Sequence, residues 1–232
     1  MKLKNVLVFA AHADDEIIGL GGTIARLSKQ GSKVTVVIFT SGETAYCNIK
    51  LKDKIASMRS LESCKSAKLL GISEKINLGL PCQAVENNRK LFQECTRLIR
   101  KYKPDVIFTH YDQDKHRDHR AISAVTQEAR WKATEKVLVD MGEPFYTQRM
   151  YFYEIFELFT SPSIVVDVTS TIDKKITAMK TQKSQLDVLP GIAEYIDGLA
   201  KARGYLCNTK YAEAFLTSDF IPKKVTNDLE LF

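Results

Sequence analysis

The chain has no Cys-x-x-Cys pair, no Gly/Ser-rich linker and no apolar stretch long enough to cross a bilayer, and it has only four histidines in 232 residues. Each scarcity excludes something. Five cysteines, an odd number without metal-ligand spacing, argue against a disulfide framework or a cysteine zinc site and fit reduced thiols in a cytosol. A cytoplasmic protein without a membrane span is therefore expected. The N-terminal run MKLKNVLVFAAHADDE begins with basic residues but ends in Asp14, Asp15 and Glu16, so it reads as a buried first strand and not as a signal peptide. There is no phosphate-binding P-loop and no Gly-x-Ser-x-Gly nucleophile elbow. Gly19-Leu20-Gly21-Gly22 lacks the dinucleotide-loop spacing and falls inside a helical pattern, which points to close helix packing. The net charge of +6 is spread along the chain, as on a solvated surface, so no nucleic-acid partner is expected. A mild positive field would favour an anionic small molecule such as a nucleotide-sugar. Homo-oligomerisation is left open.

What is present is a rhythm. Apolar runs at 6–11, 34–40, 75–80 and 105–110 alternate with helix-period segments at 17–30, 53–70, 87–101 and 118–133. Gly31, Gly71 and Pro104 supply stops. This predicts an α/β fold, Rossmann-like, with a mostly parallel sheet and helices on both faces. Strands at 150–156 and 164–168 and helices at 172–186 and 192–202 complete the chain as a single domain over 1–232. In open α/β sheets ligands bind beyond the carboxyl ends of the strands, which selects His12 to Glu16, Ser41 to Thr44 and His110 to His119.

All four histidines fall at the ends of the first and fourth strands, which predicts a shared metal or catalytic site. His12 and Asp15 lie three apart at a strand-to-helix turn, where both can face one ion, and imidazole with carboxylate suits Zn²⁺. Asp14 then stands beside the metal, placed to take a proton from water, while Glu16 is assigned only to the helix terminus. In the second cluster, His119 completes a three-ligand site with His12 and Asp15, leaving an open position. His116 sits near the metal, and Asp118 is expected to hold one of its ring nitrogens and keep it protonated, with helix capping as the alternative.

These residues resemble the LmbE/PIG-L family of zinc N-deacetylases. That family's usual Ala-His-Pro-Asp-Asp-Glu stands here as Ala11 to Glu16, and its His-x-Asp-His as His116 to His119. The segments GGTIARLSKQG and ARGYLCNTKYAEAF extend the likeness over nearly the whole chain. The resemblance implies zinc (with Fe²⁺ as an alternative) bound by His12, Asp15 and His119, Asp14 as general base and His116 as protonated partner of the oxyanion. It implies substrates built on N-acetylglucosamine: GlcNAc-phosphatidylinositol, thiol-cofactor precursors, antibiotic intermediates or chitobiose. Arg59, in an Arg-x-x-Glu position often seen in the family, is expected to contact substrate, the alternative being an exposed helix arginine. Ala13 and Arg117 replace the usual prolines, which touches the turn geometry and no ligand. Two other readings remain: a metal-dependent phosphohydrolase or esterase, and a non-catalytic sugar-binding relative.

Overall fold

The computed structural model describes residues 3–222. Strands β1 (Asn5–Ala10), β2 (Lys33–Thr40), β3 (Glu74–Leu80), β4 (Val106–His110) and β5 (Arg149–Tyr153) pair in parallel. Strands β6 (Ile164–Asp167) and β7 (Ala212–Thr217) complete one seven-stranded sheet of order β3-β2-β1-β4-β5-β7-β6, in which β7 runs antiparallel to both neighbours. Helices α1 (Asp15–Lys29), α2 (Ile55–Leu70), α3 (Arg89–Tyr102) and α4 (Arg117–Ala133) provide the crossovers between parallel strands, and α5 (Ile172–Lys180), α6 (Lys183–Leu186) and α7 (Ile192–Tyr205) link β6 to β7. No helix among the described residues is long and apolar enough to cross a membrane.

The period-2 alternation of a strand explains why β1 is apolar throughout. Val6, Val8 and Ala10 pack on one face with Ile17, Leu20 and Met179, while Leu7 and Phe9 pack on the other with Leu98, Ile99 and Ile122. The strand order reverses direction across β1 and β4, so the loops after these strands diverge and open a crevice. Both histidine clusters lie on those two loops.

The glycines of α1 have a packing role. A Cβ on Gly19 would stand 2.3 Å from the Tyr153 ring, and one on Gly22 would stand 2.8 Å from Val168. Between them Leu20 leaves helical geometry. The N–H groups of Gly22 and Thr23 donate instead to the Glu213 carboxylate of β7 at 2.9 and 2.7 Å, and Lys175 offsets its charge at 2.6 Å. The helix is thus pinned to the sheet by a buried, hydrogen-bonded ion pair.

Three differences from the sequence-based expectation stand out. Residues 212–217 form a strand that the pattern did not signal. The helix expected over 172–186 breaks at Thr181 and Gln182, where Gln182 (φ −81°, ψ 55°) departs from helical geometry. The strand expected over 150–156 ends at Tyr153, because Glu154 turns to the Arg203 guanidinium and the Phe156 N–H turns to Asp114.

Candidate active site

His12, Asp14 and Asp15 occupy the turn between β1 and α1. Asp14 is the N-cap residue of α1, yet its side chain makes no capping bond. Its Oδ1 instead accepts from Arg59 Nη2 at 2.9 Å, and both side chains are buried. Capping therefore does not account for Asp14, and Arg59 is no exposed helix arginine. Glu16 points away from the crevice into the core, where Lys75 of β3 meets its Oε1 at 2.6 Å. Burial pushes the Glu16 carboxyl up to about 7 against the opposing pull of Lys75.

The second cluster opens α4. Three donor atoms from the two clusters form a nearly equilateral triangle: His12 Nδ1 to Asp15 Oδ2 at 3.3 Å, His119 Nε2 to Asp15 Oδ2 at 3.4 Å, and His119 Nε2 to His12 Nδ1 at 3.4 Å. A tetrahedral ion with bonds of about 2.1 Å holds its donors about 3.4 Å apart, so the triangle fits a zinc-sized ion with one coordination position left open. His116 and His110 also lie within reach of this cluster, in the alternative groupings His12–His116–His119 and Asp15–His110–His119.

Each imidazole of the triangle carries a carboxylate on its far side. His119 Nδ1 meets Asp114 Oδ1 at 3.0 Å, and His12 Nε2 lies 3.4 Å from Asp118 Oδ2. Both carboxylates are buried, Asp114 at 1% exposure and Asp118 at 0%. Such partners fix the tautomer and orientation of a metal-binding histidine. Burial alone would depress both imidazoles, but Asp15 with Asp114 raises His119 to about 9, and Asp15 with Asp118 raises His12 well above its ordinary value. The crevice therefore presents a negative field suited to a cation.

The expected pairing of the Asp118 carboxylate with His116 is not what the structure holds. The Asp118 carboxylate accepts the N–H groups of Gln83 and Val85 at 2.7 and 3.3 Å and faces His12. It is the backbone N–H of Asp118 that donates to His116 Nδ1, at 3.2 Å. A ring that accepts at Nδ1 carries its proton on Nε2 when neutral. Burial and the neighbouring His119 and His12 lower the His116 pKa, outweighing Asp118.

His110 was read only as one of the four clustered histidines, without a role of its own, and Asp114 and Phe156 were given none. Asp114 Oδ1 also accepts the His116 N–H at 2.8 Å, and its Oδ2 accepts the Phe156 N–H at 3.2 Å. Burial opposes ionisation of Asp114, but the bond to His119 holds its carboxyl down at about 2. Fully buried His110 stacks on His119 with centroids 3.9 Å apart, and burial with His119 beside it lowers its pKa to about 4. Its place as one of two acidic residues, Asp112 and Asp114, between His110 and His116 was the available signal for Asp114.

Beside them opens a cleft of about 280 Å³ in which Asp14, Asp15, His12 and His116 meet Arg59, Gln83 and Phe156. Two imidazoles and a carboxylate at the switch point of a parallel sheet, with an uncapped carboxylate beside them, define the architecture of a metal-dependent hydrolase. The chain belongs to the PIG-L family: the family model described as GlcNAc-PI de-N-acetylase matches residues 7–130. The chain is 28% identical to the diacetylchitobiose deacetylase of Thermococcus kodakarensis, over 91% of this chain and 82% of that protein. It is 27% identical to the 1D-myo-inositol 2-acetamido-2-deoxy-alpha-D-glucopyranoside deacetylase of Rhodococcus jostii, over 84% and 86% of the two chains. Among solved structures, N,N'-diacetylchitobiose deacetylase from Pyrococcus horikoshii superposes with a TM-score of 0.87 at 25% identity, covering 99% of this chain and 89% of that one.

Proposed function

We infer that this protein is a metal-dependent N-deacetylase that hydrolyses the acetamide of an N-acetylglucosamine-type amino sugar to free amine and acetate. The observation that carries the reading is the donor triangle of His12, Asp15 and His119 beside an Asp14 carboxylate that caps no helix. The donor set suits Zn²⁺, with Fe²⁺ as the second choice. Bound there, such an ion supplies Lewis-acid polarisation of the acetyl carbonyl and a lowered pKa for water.

The chain's own residues supply the rest. Asp14 accepts the proton of the attacking water, and Arg59, bonded to Oδ1, fixes the carboxylate while leaving the second oxygen available. Arg59 is thus a positioning residue as well as part of the cleft wall. His116, with its proton on Nε2, donates to the oxygen on which negative charge develops. Protonated Asp14 then returns the proton to the departing amine. Asp114 and Asp118 act through the two imidazoles they hold.

Acetate release from N-acetylglucosamine, its glycosides and diacetylchitobiose, measured against a phosphomonoester control, tests the reading. Release of acetate from at least one N-acetyl sugar is expected. Phosphate release without acetate release would reverse it in favour of a phosphohydrolase. A second test addresses the two carboxylates. Asp114→Asn and Asp118→Asn should each weaken metal affinity roughly 10- to 100-fold in competition with a chelator. Wild-type affinity in both variants would reduce them to backbone anchors.

A further inference from the structure

The cleft carries a feature that amide hydrolysis itself does not use. The Phe156 ring is 42% exposed in the cleft wall and lies nearly parallel to the His119 ring, 3° between planes and 5.8 Å between centroids. It is also held in place: the Phe156 backbone N–H donates to Asp114 Oδ2, while the other oxygen of that carboxylate meets His119. One buried carboxylate therefore sets the distance between the metal-ligand imidazole and the aromatic face. Val188, itself 37% exposed, and Leu189 extend the apolar wall, while Thr44 and Gln83 offer polar groups on the cleft lining. A pyranose has the matching character, with an apolar C–H face and a hydroxyl rim.

We propose that Phe156 is the stacking platform for the sugar ring of the substrate. The proposal rests on the deacetylase reading and adds to it the residue that selects a pyranose. A comparison of kcat/KM by acetate release tests it, setting a ring substrate, methyl N-acetylglucosaminide, against an acyclic acetamide, N-acetylethanolamine, in the wild type, Phe156→Ala and Phe156→Tyr. Removing the platform should lower the ring-to-acyclic ratio about tenfold, and Tyr, which keeps an aromatic face, should restore it. An unchanged ratio in Phe156→Ala would overturn the platform. Acetate release from neither substrate in the wild type would remove the deacetylase reading and this refinement together.

Discussion

Asp14→Asn protein should bind its metal as the wild type does and lose at least about 10²-fold in kcat. Asn is isosteric and keeps an oxygen for Arg59, so the buried contact between Asp14 and Arg59 at 2.9 Å is weakened without leaving a cavity. What the amide lacks is the basicity to accept a proton from water. Asp14 lies outside the donor triangle, so metal content should not move. The measurement is steady-state kcat on protein whose metal content has been determined by elemental analysis. Near-wild-type kcat in fully metallated Asp14→Asn would take Asp14 out of the proton path. Arg59→Lys tests the positioning role separately, since an ammonium lacks the planar fork that fixes the carboxylate.

The second large effect is loss of the metal. His12→Ala should abolish stoichiometric metal binding and, with it, acetate release, while the fold persists. His12 is the better probe of the two imidazoles. Its side chain is partly exposed at 12%, and Asp118, the partner it leaves, retains the N–H groups of Gln83 and Val85. His119→Ala should lose the metal too, but it also strips Asp114 of the hydrogen bond that holds its carboxyl at about 2. A depressed carboxyl pKa contributes stability that is present above the unfolded value and is lost as pH falls toward the folded one. His119→Ala should lose the His119 share of that contribution at neutral pH, the His116 and Phe156 N–H groups keeping the rest, and unfold at a lower temperature than His12→Ala. Undiminished metal in both variants would refute the ligand assignment.

The parallel half of the fold and both histidine clusters were legible because their signals are local. Buried strands such as β1 and β2 are continuous apolar runs, and the histidines lie immediately beyond strand ends. Strand β7 was illegible because Ala212, Glu213 and Ala214 read as helix formers, and the reason for a glutamate in a buried strand lies far off in sequence. Its partners are the amides of Gly22 and Thr23 and the ammonium of Lys175. The partner of Asp118 was illegible for a similar reason. Spacing brought Asp118 near His116, but the carboxylate is turned to the backbone of residues 83 and 85 and to His12, contacts separated from it by 33 residues or more. Phe156 gave no signal at all, since its value as a platform depends on Asp114 ending the strand register one loop earlier.

If the triangle of His12, Asp15 and His119 holds the ion on which deacetylation depends, protein stripped of metal with a chelator should regain activity on titration with Zn²⁺. Acetate release from methyl N-acetylglucosaminide, followed at each addition, should be negligible in the stripped protein, rise in proportion to added Zn²⁺ and level at about one equivalent per chain in the wild type, with no recovery in His12→Ala. Acetate release from the stripped protein at the rate of the metal-loaded enzyme would rule the metal role out.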